Sequence, residues 1–374
     1  MRPGGKVRRQ ARREPRLVLP TILRPRAGDF LLIGEEEMLK RDTGRAGKRA
    51  LSAAVLLLLP LLAACASLTL GRYSLSPGEL LSALTGTGND PQARTVLMNI
   101  RLPRVVLALL VGGGLSAAGT AFQSLFANPL ATPDTLGVAS GASLGAALGL
   151  LLGFGLAAVQ VLALAGGVLA VALTWLVSAG PQRRSIVTMV LAGLIMSSLF
   201  SALISLVKYV ADPESQLPSI TYWLMGSLSS ADWGSLALGA PFLLGGTAVL
   251  LALRWRLNIL PLSEDEAKAT GVNLLALRTA VILAATMITA ACVSMCGQVG
   301  WVGLLIPHIC RMVFGGNNQR LVPASVCVGA AFLVIVDTLA RTMTAAEVPI
   351  SILTAIIGAP VFVALLRRTG GWSL

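Results

Sequence analysis

Between Leu51 and Arg368 the chain alternates apolar runs of membrane-crossing length with short polar breaks. A helix needs about 20 apolar residues to cross the hydrocarbon core of a bilayer. The runs predict ten spans, near 50–70, 105–125, 135–153, 157–178, 185–207, 235–254, 275–296, 299–314, 321–340 and 348–366. In lipid a backbone satisfies its own hydrogen bonds only as helices or as a closed barrel. The runs lack the strict in–out alternation of barrel strands. The expected fold class is therefore all-α, a polytopic membrane protein with about ten transmembrane helices.

Composition agrees with this. The chain is 55% hydrophobic and 13% charged, against about 25% charged in soluble domains. The net charge of +13 changes the picture less than its size suggests, because 14 of the 30 Lys and Arg residues fall in the first 50 positions. That stretch, 1–49, reads as a basic, disordered cytosolic tail. Phe30 is its only aromatic residue, so it lacks the stacking platform of a nucleic-acid binder, and no nucleic-acid partner is expected. Met38 offers a second translation start within it. The positive-inside rule then places both termini in the cytosol, with 369–374 as a short C-terminal tail. Arg183, Arg184, Arg254, Arg256, Lys268, Arg278, Arg311, Arg320, Arg367 and Arg368 fall on the cytosolic side. Arg72, Arg94, Arg101, Arg104, Lys208 and Arg341 fall outside, against the rule, which points to a task for them.

Small and polar residues inside the spans narrow the chemistry. Gly137, Gly141, Gly145 and Gly149 recur every four residues and form a ridge for close helix packing. Ser197, Ser201 and Ser205 share a face of the fifth span, as pathway lining or as dry helix contact. Asp337 lies in an apolar run four residues before Arg341, the spacing of an intramembrane ion pair, and Glu347 follows close enough to join it. Cys292 and Cys296 share a face, but two thiols do not make a metal site. His308 is the only histidine and reads as structural. Cys65 in LLAACAS imitates a lipoprotein box, but the apolar run there reads as the first span. No metal site, catalytic triad or paired catalytic carboxylate is visible. No GxxxxGK[ST] loop occurs, so the chain holds no nucleotide and binds no cofactor of its own. The longest polar insertion between spans, 257–274, reads LNILPLSEDEAKATGVNL. Ser263 and Glu266 form a capping box there, and Gly271 stops the short helix.

Several stretches, in order, resemble one family. They are RLPR at 101–104, GTAFQSLFANPLATPDTLGVASGASLGA from Gly119, YWLMGSLSSADW from Tyr222, LSEDEAKATGV, GQVGWVGLLIPHICR, and VDTLARTMTAAEVPISILTAIIGAPVF. They are similar to the FecCD family, the permease subunits of ABC importers for ferric siderophores, haem and cobalamin. The resemblance runs from about Leu51 to Arg368. Departures are Ser263 for a usual Gly, Asn318-Gln319-Arg320 for a common Asp-His-Arg, and Ser351 for a Gly.

The resemblance implies a BtuC-like permease in a bacterial cell membrane. It implies a homodimer or a heterodimer with a paralogue, a cytosolic ATPase dimer that uses ATP, and an extracytoplasmic substrate-binding protein. Arg101, Arg104 and Arg341 would meet acidic residues of that protein. The 257–274 loop would couple to the ATPase through Glu264, Glu266 and Gly271. The expected cargo is an iron chelate, a ferric siderophore in the first place, with haem or cobalamin as alternatives. From the bare residues an ion-coupled secondary transporter is the competing class, with Asp337 as its only candidate acid.

Overall fold

The computed structural model describes residues 54–368, apart from 72, 74–75, 88–89, 180–185 and 345. Both expected tails, with Met38 and the loop arginines Arg72, Arg183 and Arg184, lie outside the described residues. Every regular element described is helical. Six helices are long and apolar enough to cross a membrane. The first is continuous from Pro91 to Leu125. It comprises α3 (Pro91–Thr95), a π turn (Val96–Arg101) and α4 (Leu102–Leu125). The others are α6 (Leu156–Val177), α7 (Ile186–Val210), α9 (Trp233–Leu253), α11 (Leu274–Cys296) and α13 (Asn318–Thr342). Four shorter apolar helices complete the ten expected spans: α1 (Ala54–Thr69), α5 (Val138–Leu151), α12 (Val302–Phe314) and α14 (Ile350–Arg368). Short polar helices α2 (Pro77–Thr85), α8 (Gln216–Leu224) and α10 (Glu264–Ala269) lie between spans.

α4 is the central helix, and 83% of its most apolar window is buried. Its apolar and small residues run all round the helix, which suits an element with protein on every side. Small residues let neighbouring backbones touch it, the packing mode that works in lipid. A Cβ on Gly112 would lie 2.2 Å from the Gly329 carbonyl oxygen, and one on Gly119 would lie 1.8 Å from that of Gly303. The pairs Arg104–Asp337 and Gly112–Gly329 step eight residues in opposite directions, so α4 and α13 run antiparallel. α11 packs on the other side of α4.

Polar side chains cap the helix ends where sequence permits. Ser76 and Glu79 form a capping box on α2, Asp232 caps α9 through the Ser235 N–H at 2.6 Å, and Asn273 caps α11. Pro241, Pro307, Pro323 and Pro360 all sit inside helices without ending them. Neighbouring helices in a membrane bundle can satisfy the freed carbonyls. Immediately before Pro103 the helix widens, and the Leu102 N–H reaches back five residues to the Leu97 carbonyl.

α5 and α12 have 14 and 13 residues. At 1.5 Å per residue they are about 20 Å long, short of the roughly 30 Å hydrocarbon core. The chain therefore enters each by an irregular segment within the bundle, 126–137 and 297–301. Ala127 and Trp301 in these segments have positive φ, 45° and 68°. The two segments share a cavity of 290 Å³ with Thr289 of α11 and Ser351 of α14. Non-helical backbone at membrane depth is tolerated where it is covered by protein or lines such a cavity.

Candidate functional site

Five charged residues, Arg101, Arg104, Asp337, Arg341 and Glu347, converge where α1 ends, α4 begins and α13 ends. Arg104 donates from Nε to both carboxylate oxygens of Asp337 at 3.0 Å, and its Nη2 lies 2.9 Å from Oδ1. Its Nη1 donates to Glu347 at 3.0 Å. Arg341 is a more distant partner of Asp337, with Nε at 3.9 Å. Its Nη2 instead holds the Ser67 carbonyl and hydroxyl on α1. Arg101 donates to the carbonyls of Leu68, Thr69 and Tyr73. The family resemblance implied that Arg101 and Arg104 meet acidic residues of an outside partner. In this chain both side chains are buried, at 4% and 7% residue exposure, with their donors already engaged within the bundle. A guanidinium cannot shed its charge, so where water is excluded its donors must find carbonyls or carboxylates. Asp337 likewise takes Arg104 as its close partner rather than the helical neighbour at 341. The three arginines still share one feature. With Glu347, Gly71 and Tyr73 they line a cavity of 370 Å³.

At the opposite end of the bundle lies α10. The Ser263 hydroxyl accepts from the Glu266 N–H, and the Glu266 carboxylate accepts from the Ser263 N–H at 3.0 Å. These bonds from Ser263, its hydroxyl first, hold the Glu266 carboxyl below the usual range. Glu264 and Asp265 both lie 3.9 Å from Lys268 on the exposed face. Gly271 follows with φ +73°, a left-handed turn that a side chain with a Cβ resists. The Asn258 side chain ties the start of this loop to α13 by accepting from the Asn318 N–H at 2.9 Å.

The remaining expected residues are placed as follows. Gly141 and Gly145 lie on the α6 backbone, and Gly149 meets Val159 and Leu162. Gly137 is not part of that ridge. It is the left-handed entry to α5 (φ +78°) and faces Gly193 and Ser197 of α7. Ser197 is half-buried there, whereas Ser201 and Ser205 are exposed on the outside of the chain. A conduit along those two serines therefore requires a second subunit as its other wall. Cys292 and Cys296 are buried, and His308 packs edge-on against Phe362 at 5.5 Å. Among the described residues no three His, Cys, Asp or Glu side chains group as a metal site.

Asp134 escaped the sequence reading. Its carboxylate accepts from the Ala139 N–H at 2.7 Å and closes the start of α5. Asp134 lies three residues before the Gly137 N-cap, outside the spacing of an ordinary side-chain cap, so the local sequence does not mark it.

The FecCD transport family model matches residues 57–368. The molybdate import system permease protein MolB of Haemophilus influenzae is 45% identical over 84% of this chain and 94% of its own length. The hemin transport system permease protein HmuU of Yersinia pestis is 34% identical over 87% of this chain and 97% of its own. A solved ABC transporter described as of metal-chelate type, in an inward-facing conformation, superposes with a TM-score of 0.77 at 42% identity. That match covers 84% of this chain and 97% of the solved one. The chain belongs to the FecCD transport family, and its fold is that of a multi-pass ABC importer permease.

Proposed function

We propose that this chain is the membrane-embedded subunit of an importer that moves an iron chelate, a ferric siderophore in the first place, into the cell. It lies in the bacterial cell membrane with both termini in the cytosol. It pairs with a second copy or a close paralogue, and the cargo passes between them along the α7 faces that carry Ser201 and Ser205. A binding protein delivers cargo at the arginine end, where carboxylates on its surface enter the cavity lined by Arg101, Arg104 and Arg341. ATPase subunits dock at the other end on α10, and Glu264, Glu266 and the Gly271 turn transmit their movement. The chain makes no covalent change in its cargo.

The observation that carries this reading is the contrast between the two ends. One holds three arginines around an open cavity; the other holds an exposed, doubly capped acidic helix. With no phosphate-binding loop of its own, the chain must receive energy by contact.

A second reading of the cargo is molybdate, favoured by the 45% identity to a molybdate permease. Co-reconstitution with the partner ATPase and binding protein separates the two. Iron-chelate uptake that needs ATP and all three components supports the proposal. Uptake of molybdate alone replaces the cargo and leaves the rest standing. Gradient-driven uptake without ATP defeats the importer reading.

A further inference from the structure

At the α10 end, a cavity of 510 Å³ opens between the ends of α4, α12 and α13. Gln123, Asn258, Asn318, His308 and Arg311 are in its wall, and no acidic residue is. Arg311 sits in the last turn of α12, half-buried. Among the described residues its guanidinium has no carboxylate at ion-pair distance and no hydrogen-bond acceptor. Every other deeply placed arginine at the far end of the bundle has such partners. In the same wall both ring nitrogens of His308 and the Oε1 of Gln123 are closed off from solvent, so Arg311 is the polar side chain that faces the cavity with a charge.

Asn318 stands in this wall. Its amide is buried and bonded to the Ser124 hydroxyl at 3.0 Å, and it brings no negative charge to the cavity. Among the described residues the wall therefore offers one fixed positive charge and amide groups, with no carboxylate to repel an anion. A guanidinium fork matches the spacing of oxygens on an oxyanion. The volume leaves room for such an ion with part of its hydration water.

We infer that this cavity is a binding site for a small tetrahedral oxyanion of the molybdate or phosphate class, with Arg311 as its counter-charge. Binding itself does not depend on the importer reading. Its meaning as a holding site for cargo rests on the importer reading with molybdate, not an iron chelate, as the cargo.

The test uses the full chain in phosphatidylcholine nanodiscs, titrated calorimetrically with sodium molybdate and, separately, with sodium phosphate at low salt. Saturable binding is expected. It should weaken by about tenfold or more in Arg311→Gln and in Asn318→Asp, the loss of one charge-assisted contact. Arg311→Lys should retain most of it. Asn318→Asp keeps the side-chain shape and places a carboxylate in the same wall, so its effect does not require misfolding; melting curves check this. No saturable binding of either ion at millimolar concentration overturns the assignment. So does wild-type affinity in both Arg311→Gln and Asn318→Asp. Repeating the titration in phosphatidylglycerol nanodiscs separates the sources of this chemistry. Loss of ion binding there supports the site with a lipid headgroup as occupant, and unchanged affinity supports a soluble ion. Failed uptake with intact ion binding would defeat the importer reading alone; intact uptake with no ion binding would defeat the site alone.

Discussion

Arg104 and Asp337, 233 residues apart in sequence, meet through both carboxylate oxygens at 3.0 Å inside the bundle. The contact joins the start of α4 to the end of α13, and Glu347 extends it to the segment leading into α14. Removing one partner of a buried pair strands the other charge, at a cost of about 3–5 kcal/mol. We predict that Asp337→Asn lowers the thermal stability of the purified chain by that order. Arg104→Gln added to it should recover part of the loss, because the stranded charge is then gone. A double variant whose losses simply add would show that the pair is not a coupled unit. Uptake by the variants should show no new dependence on an imposed proton gradient.

Docking of the binding protein should depend on the arginine-lined cavity. Neutralising Arg101 and Arg341 together should weaken it by about tenfold at low salt, and the difference should shrink as salt screens the attraction. Glu347 should act in the opposite sense. Its carboxylate already occupies Arg104 and stands at the cavity that a partner's carboxylate would enter. Glu347→Gln should therefore tighten docking several-fold. Surface plasmon resonance on nanodisc-held permease measures both, and unchanged affinities would remove the cavity from the docking surface.

The α5–α6 contact leaves no room for a side chain at Gly145, where a Cβ would lie 2.1 Å from the Leu162 carbonyl oxygen. Gly145→Leu must part the two backbones. Overpacking in ordinary cores costs about 1–3 kcal/mol, and a clash with backbone should reach or exceed the upper end. Loss of a monodisperse peak in size-exclusion chromatography is the expected outcome. Gly245 of α9, where an added Cβ would meet nothing within 4 Å and the backbone is helical, is the control position.

Gly271→Val tests the α10 loop. A β-branched residue in the left-handed region costs about 1–2 kcal/mol or refolds the turn. The variant should insert normally and bind the external partner, yet lose both stimulated ATPase activity and uptake in the reconstituted complex. Full stimulation would make the loop a passive linker.

The ten apolar helices were legible because each is a local property of about twenty residues. The capping box at Ser263 and Glu266 was legible for the same reason: its partners are three residues apart. The same signal at Ser76 and Glu79 marks α2, outside any apolar run. Asp337 was recognised as needing a cation, and the helix repeat offered only Arg341. The nearer partner, Arg104, is set by the antiparallel register of α4 and α13, which no linear pattern states. The isolation of Arg311 was hidden for the converse reason. A residue's lack of partners is a property of the packed bundle and leaves no trace in its own neighbourhood of the chain.

The π turn ahead of Pro103 makes the arginine end a question of phase. An α-helix turns about 100° per residue, so arginines three apart would ordinarily look the same way. Arg101 closes the wider turn and grips α1, whereas Arg104, in the regular helix that follows, grips α13. Losing a single residue between Val96 and Arg101 would leave every charge in the chain intact, yet rotate the preceding segment by roughly that angle relative to α4. The geometry of this arginine cluster can thus be changed by length as readily as by substitution.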